Sequence, residues 1–406
     1  MSIVISQVKL SRIARLGLAL AAFAGPGFAQ PQYTVVDLGV VGGGVLGPTS
    51  QPFHITNNGL ISGAAPPNDN VSGSVQSVIY LRGQKLVISQ PGLGGANSMA
   101  FGLNNRGEAV GGANTYTVDP SGEDFCGFQS LGLPNGATTC LPFLWHDGVM
   151  VPLPTLDGGN NGIANAINNR GEIGGVAENA SIDSNCSAVT QFQKYYFKPV
   201  YWLNGEVHEL PTLGKSDPEG SVLAINDSGQ LAGGTGTCSP FNPLVFIGLQ
   251  PVHAVLWEKD GTPMDLGTLG GDTHAIPGHL ALGINNYGQV VGYSTLSDDV
   301  TSHGFLWTME TGMLDLPPVP SLANATSSAI DINDSGVIVG VSTDFSTFDA
   351  TIWRNNIPTD LNELIPQDSP LHLWVACSIN SRGQIIGFGF NAETGEFHGY
   401  ELNPIP

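Results

Sequence analysis

The sequence predicts an all-β chain folded as a seven-bladed β-propeller closed by its own N-terminal strand, and three observations predict it. A short block recurs seven times: ITNNGLISG from Ile55, LNNRGEAVG from Leu103, INNRGEIGG from Ile167, INDSGQLAG from Ile225, INNYGQVVG from Ile284, INDSGVIVG from Ile332 and INSRGQIIG from Ile379. Turn formers are abundant, with 55 Gly and 28 Pro in 406 residues, and no long amphipathic helical pattern follows the N-terminal segment. The chain ends are also complementary. The last unit stops at HGYEL, at Leu402, where other units continue into a strand of the form MDLG, and YTVVDLG from Tyr33 supplies that form.

The first 29 residues are basic at Lys9, Arg12 and Arg15, apolar from Leu16 to Ala24, and small up to GFA before Gln30. This reads as a secretory signal peptide. Its apolar run is too short to span a bilayer, and no later stretch offers about 18 consecutive apolar residues. Residues 30–406 are therefore expected to form one domain, extracellular or periplasmic, monomeric, with no cofactor and no membrane anchor. Loss of the leader removes three basic residues and no acidic ones, moving the formal charge from −21 to −24. So negative a chain is a poor partner for nucleic acid or an anionic membrane.

Within each unit a Gly closes a tight turn: Gly59, Gly107, Gly171, Gly229, Gly288, Gly336 and Gly383. Preceded by polar turn residues, it fits a hairpin whose last loop residue is left-handed. Four residues on, a second Gly recurs at Gly63, Gly111, Gly175, Gly233, Gly292, Gly340 and Gly387. Gly weakens a strand, so something must pack against the backbone there. A second hairpin follows, as in PVYWLNGEVHEL and HGFLWTMETGMLDL, with Trp145, Trp202, Trp257, Trp307 and Trp353 at one equivalent site and Tyr80 in the first unit. Such periodic aromatics are expected between neighbouring sheets. Trp374 lies outside the pattern. Four-stranded units of this kind cannot bury their faces singly, and radial stacking into a ring satisfies all seven while removing exposed edges.

The segment HAVLWEKDGTPMDLGTLGGDTHAIPGHLALGINNYGQVVGYS resembles the extracellular HAF-repeat family of bacterial proteins. The resemblance extends over residues 30–406, is strongest from His253 to Leu316, and is weakest in the first unit. It implies secretion and a bacterial origin, and it transfers no catalytic residue.

The repeat itself accounts for several residues that would otherwise suggest chemistry. His253, His303 and His398 share one position, and Asp37, Asp265, Asp315 and Asp360 share another. No catalytic residue is assigned, and no GxSxG, HExxH or phosphate loop occurs. The NDSG turns lack the acidic spacing of a calcium loop, and the Asp272, His274, His279 grouping in GGDTHAIPGH matches no strong zinc pattern, so no metal is assigned. Of five cysteines, Cys126 and Cys140 lie in one insertion and are expected to pair locally. Cys186 and Cys238 lie in equivalent connections of the next two units and are expected to bridge neighbouring blades. Cys377 falls on a core position and is expected to be a buried free thiol.

What the repeat leaves unexplained is loop length. Insertions at about 112–141, 176–198 and 235–252 interrupt three consecutive units on one face. Function on repeat scaffolds concentrates in such excursions. The candidate ligand-binding residues are Tyr116, Phe125, Phe128, Tyr195, Tyr196, Phe241, His274 and His279. One alternative is that these aromatics fill the insertions' own small cores. The leading functional expectation is a non-catalytic binding propeller meeting an unidentified glycan or envelope protein on that face. A polysaccharide hydrolase or lyase with a site on the same face, and a purely structural secreted module, are the other two.

Overall fold

A computed structural model describes residues 32–40, 43–44, 47–48, 51–66, 74–89, 92–128, 138–187, 193–238, 249–272, 278–322 and 324–406. The expected leader lies outside the described residues. Seven four-stranded antiparallel sheets form the blades of a propeller. Blade 1 comprises Pro52–Ile55, Leu60–Ala65, Gln76–Leu81 and Gln84–Val87. Blade 2 comprises Gly94–Leu103, Ala109–Val118, Thr138–His146 and Val149–Pro152, and blade 3 comprises Gly162–Ile167, Ile173–Ile182, Tyr195–Leu203 and Glu206–Glu209. Blade 4 runs over Glu219–Ile225, Leu231–Cys238, Leu249–Trp257 and Pro263–Asp265. Blade 5 runs over His279–Ile284, Val290–Thr295, Ser302–Thr308 and Gly312–Leu316. In blade 6 the strands are Thr326–Ile332, Ile338–Thr343, Phe348–Arg354 and Ile357–Asp360; in blade 7 they are Leu371–Ile379, Ile385–Asn391, Glu396–Pro404 and Tyr33–Val40.

The ring closes as the chain ends require. Tyr33–Val40 pairs antiparallel with Glu396–Pro404, from Tyr33 opposite Pro404 to Val40 opposite His398. His398 Nδ1 lies 2.7 Å from Asp37 Oδ2, the same third-to-fourth-strand pair that His253 makes with Asp265 at 3.1 Å and His303 with Asp315 at 2.8 Å. The repeat is thus completed across the two ends of the chain. Asp360 departs from this rule: its carboxylate accepts from Asn362 N at 2.8 Å and caps the short turn Leu361–Leu364.

Every inner strand carries a β-bulge just before its last two residues, as at Ala100/Gly102 and Ala281/Gly283. The bulge drives a carbonyl against the second repeat Gly on the neighbouring strand. A methyl group on Gly111 would sit 1.8 Å from Met99 O, and one on Gly292 would sit 1.9 Å from Leu280 O. No side chain fits such a space, which is why the strand tolerates the entropic cost of Gly. The Trp residues pack between sheets as expected. Trp202, Trp257 and Trp353 are almost fully buried, and their Nε1–H groups donate to Pro154 O, Pro211 O and Pro317 O of the preceding blade at 2.7–2.9 Å. In blade 7 Leu402 occupies the Trp register, opposite Ile385.

The turns do more than reverse the chain. Buried Asn104, Asn168, Asn226, Asn285, Asn333 and Asn380 each donate Nδ2–H to the backbone carbonyl of the equivalent residue in the next blade, at 3.0–3.1 Å. The Oδ1 of the same Asn holds its own turn, as where Asn285 accepts from Tyr287 N and Gln289 N, both at 3.1 Å. Thr56 breaks the series in blade 1, and Asn58 Nδ2 reaches Asn105 O at 3.0 Å instead. A second tier runs outside the first, with Asn105 N donating to Asn169 Oδ1 and Asn169 N to Asp227 Oδ1, both at 2.9 Å. Asn285→Ala would remove the bond to the next blade at Asn333 O and orphan two turn amides, Tyr287 N and Gln289 N, at once. It is expected to cost about 2–3 kcal/mol in denaturant unfolding, clearly more than Asn286→Ala at the exposed neighbouring position; equal losses would show that the inner tier does not hold the ring.

Candidate functional site

Strand direction gives the propeller two unlike faces. The first-to-second-strand turns and outer hairpins lie on one, here the turn face. The second-to-third-strand loops and blade-to-blade connections lie on the other, here the insertion face.

On the insertion face both expected disulfides are present, Cys126–Cys140 and Cys186–Cys238. The first ties the blade 2 insertion to its own third strand, and the second joins the insertions of blades 3 and 4. Phe125 (6% exposed), Phe128 (1%) and Phe197 pack with both sulfurs of the first disulfide, Met99, Ile163 and Val176, and the cluster reaches Phe53 and Phe101 on inner strands. Phe125 and Phe128 are therefore the core of the insertion and not its binding surface, because long ordered loops must bury apolar area of their own.

Polar contacts fuse the insertions further. Glu123 Oε1 accepts from Lys194 N and Tyr195 N, Lys194 Nζ donates to Ser121 O, and Lys198 Nζ donates to Pro218 O. Asn161 Nδ2 bridges two carboxylates, at 2.9 Å from Asp119 Oδ2 and 2.9 Å from Glu178 Oε2. Glu178 is fully buried, and Glu178 Oε1 has no hydrogen-bond partner. Burial, then the neighbouring charges of Glu123 and Asp119, push its carboxyl up to about 9. Burial likewise raises Glu123, and burial with Asp183 raises Glu219 well above the carboxylate range. Fully buried, none of the three reaches solvent.

His279 differs from the expectation. It is fully buried, with Nδ1 2.9 Å from Ser294 Oγ and Nε2 3.0 Å from Asp272 O, and burial depresses its pKa. Both ring nitrogens are used internally, so it offers nothing to a ligand. Tyr195 and Tyr196 are half-buried on the blade 3 insertion, with Lys198 Nζ 5.3 Å from the Tyr196 ring centre. Tyr116 is 86% exposed and borders a cleft of about 500 Å³ between blades 1 and 2. Phe241 and His274 lie outside the described residues. Trp374 stacks on Phe348 and meets Phe397 edge-on, bridging blades 6 and 7.

A second polar site lies at the axis, near the turn face, in a hollow of about 140 Å³. The residue preceding each repeat Ile is small in four blades, Gly102, Ala166, Ala224 and Gly283, and polar in the other three, His54, Asp331 and Ser378. Those three meet across blades 1, 6 and 7. Ser378 Oγ donates to Asp331 Oδ2 at 2.6 Å, accepts from Ile55 N at 3.3 Å, and lies 3.4 Å from His54 Nδ1. Asp331 Oδ2 also accepts from Ile379 N at 2.9 Å. Because the Ser378 proton points to the carboxylate, His54 is not placed as its base, and the trio reads as a seam between first and last blades. Polar departures in three of seven units at a single repeat position are the sequence signal that would have found it. Cys377, at the neighbouring bulge, is free as expected but half-buried, and burial together with Asp331 pushes its thiol up to about 12.

Among the described residues no group of three or more His, Cys, Asp or Glu is placed to hold a metal ion, and no helix is long and apolar enough to cross a membrane. The architecture defines a seven-bladed β-propeller with one elaborated face. The chain is similar in fold to the β-propeller domain of the Trilobed protease from Pyrococcus furiosus, described as having an open velcro topology, at 9% identity and TM-score 0.47 over 87% of this chain and 92% of that one. It is similar also to the Pyrococcus horikoshii acylaminoacyl peptidase, at 8% identity and TM-score 0.46 over 86% of this chain and 50% of that one. A third likeness is to Trypanosoma rangeli sialidase in complex with sialic acid, at 9% identity and TM-score 0.40 over 93% of this chain and 57% of that one. No protein-family model and no curated protein sequence matches the chain.

Glu178 binds a proton in the folded chain between its ordinary value near 4.5 and about 9, where the unfolded chain does not. Its contribution to stability is therefore full below the lower value and lost as pH rises through the upper one. Thermal melts are expected to fall between pH 6 and pH 9, and Glu178→Gln is expected to flatten that fall; an unchanged slope would remove Glu178 as its cause. Cys377 is expected to resist iodoacetamide at pH 8 in the folded chain and to react within minutes in denaturant, as read by mass spectrometry. Rapid labelling of the folded chain would contradict the raised thiol pKa.

Proposed function

We propose that this is an extracytoplasmic, non-catalytic binding propeller that meets its ligand on the insertion face. The observation that carries the reading is the fusion of three consecutive insertions into one rigid cap by two disulfides and the Glu123 and Asn161 contacts. Rigid, face-specific elaboration of a repeat scaffold supplies a preorganised surface, which lowers the entropic cost of binding. The disulfides favour an oxidising compartment, in keeping with the expected leader and with the resemblance to extracellular HAF-repeat proteins. The raised carboxyls of this face are buried away from any substrate, which favours binding over hydrolysis.

Residues 30–406, produced in an oxidising compartment, are expected to bind cell-envelope polysaccharide or envelope protein in a sedimentation assay. The double variant Tyr116→Ala and Tyr196→Ala should lose at least about tenfold in affinity. Tyr287→Ala, exposed on the turn face, should lose none. The opposite pattern would place the ligand on the turn face, and release of reducing ends from the polysaccharide would refute the non-catalytic reading.

A further inference from the structure

The cleft between blades 1 and 2 has a specific local cause. The first two strands of blade 2 are ten residues each, against six for the same pair in blade 5. Near the insertion face their register jumps between Gly94, opposite Thr115, and Ser98, opposite Ala113. Residues 95–97 therefore bulge opposite Asn114, with Gly95 packed against it, and Gly92 to Asn97 form one wall of the opening.

Three properties of that opening point to one ligand chemistry. First, no charged side chain lines it among the described residues, although the whole chain carries a formal charge of −21. A phosphate, sulfate or carboxylate ligand would meet no cation there, and a cationic ligand no carboxylate. Second, the walls hold Gln76 Oε1, Ser89 Oγ and Asn114 Oδ1, all buried and all without a hydrogen-bond partner. Asn114 is 1% exposed, and its Nδ2 donates to Thr138 Oγ1 at 2.7 Å, which leaves Oδ1 as an acceptor with no donor. Orphaned acceptors of this kind are costly unless a donor arrives from outside. Third, the Tyr116 ring lies against Gly94, where a methyl group would come within 2.5 Å of Cδ2, and the residue is nevertheless 86% exposed. The ring meets backbone along one edge and is otherwise open to solvent. Gly94, at φ +107°, is a position that only Gly occupies without strain.

We infer that this cleft is a binding site for a neutral saccharide, with Tyr116 stacking on the apolar C–H face of one sugar ring and Gln76, Ser89 and Asn114 receiving its hydroxyls. A pyranose presents both features at once: hydroxyl donors around its rim and a C–H face that complements the negative face of an aromatic ring. The volume of about 500 Å³ lies within the range of small-molecule sites. This inference rests on the binding reading given above and names the ligand class for one part of the insertion face.

The test titrates residues 30–406 by calorimetry with neutral hexasaccharides of β-linked glucose, mannose and galactose, and with polygalacturonate as the charged comparison. At least one neutral hexasaccharide is expected to bind, and polygalacturonate is expected not to. Tyr116→Ala should weaken binding about tenfold, while Tyr116→Phe should retain it, and neither should shift the melting temperature of so exposed a position. No binding of any neutral hexasaccharide, or binding insensitive to Tyr116→Ala, overturns the cleft assignment. If envelope binding persists and still depends on Tyr196, the cleft fails while the binding function stands; if the insertion face binds nothing, both fail.

Discussion

The inner tier of asparagine side chains is the constraint on which the rest of the ring depends. Apolar packing between blades supplies most of the burial but no direction, since it is proportional to area and indifferent to angle. A hydrogen bond is directional. Each Asn Oδ1 fixes its own turn while Nδ2 reaches the next blade's carbonyl, so one side chain couples local turn geometry to the spacing of neighbours. Asn285 is 3% exposed, and its equivalents are similarly buried. In such surroundings an unmade bond costs more than a made bond gains, and the tier therefore selects against any blade spacing that leaves a buried Nδ2–H unmet.

The tier is imperfect where the two chain ends come together, and the irregular polar residues gather there. Thr56 lacks the amide that would reach blade 2, and Ser381 lacks the Asn or Asp side chain that the other six blades place in the outer tier. Asn58 covers the first gap through Asn105 O, and Asp331 spans blades 6 and 7 through Ile379 N. Ser378 then links Asp331 to the blade 1 backbone at Ile55 N. On the outside of the same region the N-terminal strand completes blade 7, with Asp37 facing His398. Closure is thus held at the axis and at the rim by different chemistry, as expected of a junction that no continuous stretch of chain enforces.

The architecture was legible because each unit repeats a physical requirement. Gly111 and its equivalents must be Gly because a carbonyl occupies the place of a side chain, and Trp202 and its equivalents must be large because they fill the wedge between sheets. The end-to-start complementarity of HGYEL and YTVVDLG needed only the pattern of a fourth strand. The role of Asn104 and its equivalents beyond their own turns was not legible, since an Asn before Asn-Arg-Gly or Asp-Ser-Gly already has a sufficient local explanation as a turn former. Nor could sequence separate Phe125 and Phe128, which fill the insertion, from Tyr116, which faces solvent on the same face. Spacing carries no information about which side of a non-repeating loop a ring occupies. The burial of His279 is illegible for a related reason: its connection is irregular, but its partners Ser294 and Asp272 are brought to it by the fold of blade 5.

The two halves of the insertion face differ in how they meet the need for rigidity. Blades 5 to 7 return through short turns that are held by strand pairing and by local side chains, Asp298, Asp344 and Asn391 each accepting from two turn amides. Blades 2 to 4 carry long loops, which would lose much conformational entropy on ordering and would stay mobile without compensation. The disulfides reduce that loss in the unfolded chain, and the aromatic cluster around Phe128 and the contacts of Glu123 and Asn161 fix what remains. Carboxylates buried at this density cannot all be ionised, and the elevated value of Glu178 is the consequence. A cap built with that much internal constraint leaves little freedom to adapt to a partner. On the proposed binding reading, specificity falls to openings whose shape the cap fixes in advance, and the cleft beside Tyr116, uncharged among its described residues and set at the edge of the cap where the register of the blade 2 strands jumps, is such an opening.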